Sequence, residues 1–376
     1  MFKKFSITLL TIFNIGILLG SVFLLTQAVT IRGILLGLSV LGLSFLGVTI
    51  PFCSRSFLLN RNLKFIWGIS ATLTLFNLLC IPSGKNLNSS PVSNRFLKPY
   101  SFNHFIITNL IPEIDQLRLG FFILPRLHKI LTISQAEKLK NLLTPLYIQM
   151  EKDKNFYNLG SVLGSAEAEL LGQRNPAEHY YIYIPSNISK KPLPVIVFLH
   201  GAGGNFKIYT WLWSQFAQKN GFIIIAPTLG FGDWSRPEGT QLVLKAIDDA
   251  AKIAQIDQKK IYLAGLSNGG RGVSRLAGQF PDKFKGLIYI SPVIEPHLLN
   301  TKIFIDQWLK KPILIISGNE DDRIPIQSIE DQTKKWMSSN MDITLHLYPH
   351  EDHFLIFNQT QNIFEIISAW IKRIDL

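Results

Sequence analysis

Three apolar runs fill the first 82 residues, at positions 5–26, 33–52 and 65–81, and none contains a charged side chain. A bilayer's hydrocarbon core takes roughly 20 helical residues to cross. The first two runs meet that length, and the third lies at the short end of the range. A secretory signal has an apolar core of about 7–15 residues followed by a small-residue cleavage site. The first run is longer and no A-x-A site follows it. Buried helices of a globular protein would show a polar face somewhere in three successive runs. Residues 1–82 are therefore expected to be a membrane anchor of three transmembrane helices.

The flanking charges orient it. With a cytoplasmic N-terminus, Lys3, Lys4, Arg55, Arg61 and Lys64 lie inside and only Arg32 lies in the first outer turn. Three crossings then deliver the remaining chain to the extracytoplasmic side. Under this topology Cys53 and Cys80 would sit near opposite faces, too far apart for an intramolecular disulfide.

The anchor also explains the composition. Charged residues are only 17% of the chain, and its net charge is +12. Six of the 38 basic residues and no acidic ones fall in the anchor, leaving 32 basic against 26 acidic residues elsewhere. That mild excess carries no clustered Lys/Arg face or groove-reading motif, so no nucleic-acid partner is expected.

Residues 83–115 are rich in Asn, Ser and Pro and read as a linker. Residues 116–131 mix Leu, Ile and Phe with Arg118, Arg126, His128 and Lys129, and Pro125 interrupts any long helix. They are expected to pack against the globular domain rather than rest on lipid headgroups. Ser134 with Glu137 reads as a capping box opening a helix through about Leu143.

From residue 180 onward, short apolar runs alternate with helical patterns. Strands are expected at 180–184, 194–199, 222–226, 261–264, 287–291, 313–316 and 343–348. Helices are expected near 206–219, 239–254, 269–280, 326–339 and 361–373. Unbroken Val/Ile/Leu runs suit strands buried on both faces, and the alternation implies a mostly parallel α/β sheet.

Three motifs carry chemistry. Gly265-Leu266-Ser267-Asn268-Gly269 fits G-x-S-x-G at a strand-to-helix turn, which crowds the backbone so that small residues must flank the serine. The turn sets the Ser267 hydroxyl at a helix N-terminus, where N–H groups favour developing negative charge. A serine needs a base and the base an orienting carboxylate. Glu320, Asp321 and Asp322 follow one strand, and His350 and His353 follow the next. Phe198-Leu-His-Gly-Ala-Gly-Gly204 follows a third strand and supplies a glycine-rich loop.

Together these resemble the α/β-hydrolases, which carry nucleophile, acid and base in that chain order. The family's acid motif matches Gly318, Asp321, Ile324 and Pro325 position by position, which selects Asp321. Its histidine often precedes an aromatic residue, which selects His353 before Phe354. Asp322 and His350 are the runners-up. The H-G-x-G loop implies an oxyanion hole from the N–H groups of Asn268 and Ala202, with Gly203 as the other candidate and His200 orienting the loop.

Gly265–Gly270 with Pro281-Asp-Lys-Phe284 is similar to the polyhydroxybutyrate depolymerase and feruloyl esterase branch. Dienelactone-hydrolase-like and prolyl-oligopeptidase-like domains are close competitors. The resemblance covers about residues 178–376, within a hydrolase domain expected to span 116–376. It implies an esterase acting through an acyl-enzyme, with no metal or organic cofactor. The alternatives are a peptidase, an acyltransferase, or a catalytically silent binding module tethered to the membrane. Trp234, after another strand at the same edge, lines an acyl pocket or packs. About 20 residues (293–311) leave no room for a large cap.

Overall fold

The computed structural model describes residues 2–49, 61–82, 84, 90–97, 108–127, 130–172, 178–186 and 191–375. The expectations on Cys53, Arg55, His128 and Lys129 lie outside these residues. The chain forms two compact units, one of Met1–Ser83 with Ile106–Gln149 and one of Gly84–Phe105 with Met150–Leu376.

The first unit is helical: α1 (Phe2–Gln27), α2 (Ile31–Thr49), α3 (Arg61–Leu79), α4 (Glu113–Leu127) and α5 (Ile133–Met150). Among the described residues, Thr8–Gln27 is long and apolar enough to cross a membrane, and Ile31–Phe45 is a shorter apolar helix. The third expected span, in α3, does not reach that standard. Small residues let the first three helices approach: a Cβ at Gly37 would meet Leu25 at 2.7 Å and one at Gly42 would meet Ser70 Oγ at 2.2 Å. Apolar side chains such as Phe13, Leu19 and Phe65 stay bare.

Polar groups lock the α1–α2 corner. Buried Asp115 accepts from Val29 N at 2.8 Å and from Thr30 Oγ1 at 2.5 Å, capping the start of α2 from outside. The Arg32 guanidinium donates to the carbonyls of Cys80, Asn109 and Leu110. The α1–α2 corner and the carboxyl end of α3 therefore lie at the same end of this unit. The three helices therefore run up, down and up within this unit. The expectation for 116–127 is also corrected: α4 packs with the N-terminal helices, where Arg118 Nε donates to Gln27 O at 2.7 Å at the end of α1 and Phe122 meets Phe23. Pro125 falls in the last turn of α4, where it ends the helix without breaking it. The capping box of α5 lies two residues earlier than expected. Thr132 Oγ1 accepts from Gln135 N at 3.1 Å while Gln135 Oε1 accepts from Thr132 N at 3.0 Å, the same chemistry with Gln in place of Glu.

The second unit is an eight-stranded sheet. In chain order it contains β1 (Val92–Phe96), α6 (Lys154–Leu159), α7 (Gly164–Leu170), β2 (His179–Tyr183), β3 (Leu193–Leu199), α8 (Lys207–Asn220), β4 (Ile223–Thr228), α9 (Pro237–Ile253), β5 (Ile256–Leu266), α10 (Gly269–Gln279), β6 (Gly286–Ile290), α11 (Pro296–Leu299), α12 (Lys302–Trp308), β7 (Ile313–Gly318), α13 (Ile326–Ser338), β8 (Ile343–Tyr348), α14 (Leu355–Asn358) and α15 (Thr360–Asp375). The strand order is β1-β2-β4-β3-β5-β6-β7-β8. Only the β1–β2 and β2–β4 pairs are antiparallel.

β1 lies inside the stretch read as linker. It was hidden because Val-Ser-Asn-Arg-Phe offers few apolar residues, yet Val92 and Asn94 both point inward. Asn94 is buried to accept from His179 Nε2 at 3.0 Å, while His179 Nδ1 faces Thr228 Oγ1 at 2.9 Å.

Alternation along each central strand divides the core. Val195, Val197 and Leu199 of β3 face α9 and α10, meeting Val243, Ile247 and Val273. Phe198 points the other way, to Tyr209 and Trp213 of α8, and Trp213 meets Phe364 of α15. Each face thus covers the strands in apolar surface, and every such side chain contributes about 1.5–3 kcal/mol of burial. Residues 293–311 form only α11 and α12, whose Leu299, Phe304 and Trp308 join the core. No large cap is built there.

Candidate active site

The carboxyl ends of β3, β5, β7 and β8 bring the sequence-selected residues to one edge of the sheet, where open α/β sheets hold their ligands. Between β5 and α10 the chain turns at Ser267, which has φ +51°. That left-handed conformation costs a serine about 1–2 kcal/mol. The turn is held by main-chain bonds: Ser267 N donates to Ile290 O at 3.0 Å, and its carbonyl accepts from Gly270 N and Val293 N, each at 2.9 Å. Crowding explains the flanking glycines. A Cβ at Gly269 would stand 2.1 Å from Leu199 O, and one at Gly265 would stand 2.6 Å from the Gly269 backbone.

His353 reaches this turn from the loop after β8. Its Nε2 lies 2.9 Å from Ser267 Oγ and its Nδ1 lies 2.8 Å from Asp321 Oδ2. The other carboxylate oxygen, Oδ1, accepts from Arg323 N at 2.9 Å and Ile324 N at 2.8 Å. A carboxylate can only accept, so Nδ1 carries the imidazole proton and Nε2 is left to accept from the serine. His353 and Asp321 are buried. The runners-up are not brought in. Asp322 is exposed, and exposed His350 pairs with Glu320 at 2.9 Å. The histidine loop is held by buried Glu351, which accepts from Asn358 Nδ2 at 2.8 Å and Gln359 Nε2 at 2.6 Å.

The glycine loop after β3 runs past the serine. A Cβ at Gly201 would stand 3.2 Å from Ser267 Cβ, close enough that a larger residue would make the loop or the serine give way. Gly203 N donates to Phe231 O at 2.9 Å. That bond occupies the second candidate donor of the loop, so Ala202 N is the loop's remaining candidate beside Asn268 N. His200 is fully buried beneath the loop, with Nδ1 2.8 Å from Gly201 O and Nε2 accepting from Leu229 N at 3.1 Å.

Trp234 does not line a pocket. It is buried in the core, with its indole N–H donated to His200 O at 2.8 Å. The strand-end position at the site edge is equally the place where the loop must be pinned to the core, and here the large apolar ring is used for that. What motif reading missed is the stretch before β2. Leu163 and Ala166 press on Gly204, and Glu169 bonds to Phe231 N. No motif marks these residues.

Burial pushes His200 down to about 4 and His179 down to about 3, from an ordinary 6.5. Both are neutral in the fold and protonated in the acid-unfolded chain. The unfolded state therefore binds more protons below pH 6.5, and stability falls as pH drops from 6.5 through about 4. Each histidine removes about 1.4 kcal/mol per pH unit across that window. Urea unfolding followed by tryptophan fluorescence is expected to show this slope, and H179Q is expected to reduce it.

The family described as alpha/beta hydrolase fold matches residues 194–308, a stretch that contains Ser267. The chain is 27% identical over 162 residues to the bifunctional acetylxylan esterase/xylanase XynS20E of Neocallimastix patriciarum, covering 42% of this chain and 23% of that protein. It is 23% identical over 236 residues to the acylamino-acid-releasing enzyme of Rattus norvegicus, covering 50% and 31%. To feruloyl esterase B of Talaromyces stipitatus it is 29% identical over 118 residues, covering 28% and 33%. The chain thus spans a quarter to a third of the length of these relatives. The family match, taken with the sheet order and the strand–Ser267–helix turn, gives the second unit the α/β-hydrolase fold.

Proposed function

We propose that this chain is a membrane-anchored serine hydrolase that cleaves carboxylic esters. The observation that carries the reading is the line of short contacts from Ser267 Oγ through His353 to Asp321. Ser267 Oγ attacks the ester carbonyl as His353 Nε2 takes its proton, while Asp321 holds the imidazole. The N–H groups of Asn268 and Ala202 receive the oxyanion, and each such donor contributes about 3 kcal/mol to the transition state. Collapse breaks the C–O bond, and His353 returns the proton to the departing alcohol. Water, deprotonated by His353, then attacks the acyl-enzyme and releases the acid and the free serine.

A fluorophosphonate is expected to label Ser267 in the full-length protein. No label, or label on another residue, overturns the proposal. The similarity to acylamino-acid-releasing enzymes favours amide cleavage as the second reading. Comparing turnover of nitrophenyl acetate with that of acylaminoacyl amides separates the two.

The anchor rests on the bare apolar faces of the first unit and on the shared end of the α1–α2 corner and α3. The protein is expected to stay in the membrane pellet through alkaline carbonate and leave it in detergent. Release by carbonate alone counts against the anchor. With the hydrolase unit extracytoplasmic, a membrane-impermeant fluorophosphonate labels intact cells; labelling only after lysis reverses the orientation.

A further inference from the structure

Phe231 is held at both ends of its backbone. Its N–H donates to Glu169 Oε2 at 2.7 Å, and its carbonyl accepts the Gly203 N–H at 2.9 Å. The second oxygen of Glu169, Oε1, lies 2.7 Å from Arg236 Nη2, so the carboxylate bridges both ends of the 230–236 loop. Space is reserved for it: Gly230 has φ +38°, and a Cβ there would come within 1.8 Å of Glu169 Oε2. The helix that carries Glu169, α7, also touches the glycine loop directly. A Cβ at Gly204 would meet Ala166 Cβ at 3.1 Å and Leu163 Cδ1 at 3.4 Å.

The geometry points to Glu169 as a positioning residue for the oxyanion hole, acting through Phe231. The Phe231 carbonyl turns the Gly203 N–H aside. That bond fixes the peptide joining Ala202 to Gly203, and with it the orientation of the neighbouring Ala202 N–H. A loop of this kind, with Gly203 at φ +106° and Gly204 at φ +118°, has wide conformational freedom of its own. An oxyanion donor is effective only when its aim is set before the reaction. The carboxylate supplies that constraint from a helix outside the sheet. This inference rests on the serine-hydrolase reading and adds a residue to it.

The test uses the full-length protein in detergent with nitrophenyl acetate and a trifluoromethyl ketone, which adds to the serine to form an oxyanion. E169Q keeps an oxygen within reach of Phe231 N, whereas E169D keeps the charge but falls short by one methylene. E169A keeps neither. E169D and E169A are expected to lose about ten-fold in kcat with KM nearly unchanged, a split that marks an interaction made in the transition state. Affinity for the ketone is expected to fall in step, and E169Q is expected to remain within about three-fold of wild type.

If E169A fails to fold, the comparison of E169D with E169Q decides. Wild-type kcat in E169D, or better activity in E169D than in E169Q, overturns the inference. So does a loss of kcat without loss of ketone affinity. A wild type that is neither active nor labelled by fluorophosphonate overturns the serine-hydrolase reading, and this inference with it.

Discussion

Replacing Ser267 by alanine is expected to lower kcat/KM for nitrophenyl acetate by about 10⁵- to 10⁶-fold and to abolish fluorophosphonate labelling. The size follows from what is lost. Without the hydroxyl no acyl-enzyme forms, and His353 has no proton to take. What survives is the modest acceleration from the oxyanion donors acting on direct attack by water. The fold should not change, because the turn is held by main-chain bonds to Ile290, Gly270 and Val293 rather than by the side chain. Alanine also meets the same left-handed backbone that serine already tolerates. Unfolding of S267A should therefore coincide with that of wild type. Ser274, Ser291 and Ser317 cannot substitute from their present positions: all three are fully buried, and the Ser291 backbone is tied to Ile316 O at 2.8 Å. Turnover of S267A within about ten-fold of wild type would move the nucleophile elsewhere.

How far the chain was legible depended on whether the deciding signal was local. The central strands were readable because both of their faces are covered, so their inner segments, such as 195–199, 223–226 and 313–316, are unbroken apolar runs. β1 was not, since an edge strand whose Asn94 serves the buried His179 has no apolar run to show. The residues converging near Ser267 were readable because each follows a strand and the acid motif spans eight consecutive positions. The choice between Ala202 and Gly203 as donor depended on a carbonyl 28 residues away, at Phe231. Trp234 depended on which way one ring points. The placement of α4 was hidden for a related reason. Nothing local in the sequence marks Asp115 and Arg32 as partners of distant backbone groups, and only the tertiary structure brings them there.

The same dependence on direction makes Asp321→Asn the second large effect, expected to reduce kcat by about 10⁴-fold while leaving the fold intact. Asparagine has the shape of aspartate, so the buried site need not open. Its two ends are not interchangeable, however. Arg323 N and Ile324 N both donate into one side of this group, at 2.9 and 2.8 Å, and that side must remain an oxygen. The amide nitrogen is therefore turned toward His353 Nδ1, where Asp321 Oδ2 now stands at 2.8 Å. An N–H donor there requires Nδ1 to accept, which moves the imidazole proton to Nε2. A protonated Nε2 cannot accept from Ser267 Oγ, and the base is lost although every heavy atom keeps its place. Asp322→Asn, on the exposed neighbour, carries no such consequence and should leave kcat within about three-fold of wild type. Measuring kcat for both variants beside their urea unfolding curves separates a tautomer effect from a folding defect. Equal losses in D321N and D322N would show that the loop as a whole, rather than the Asp321 carboxylate, supports the base.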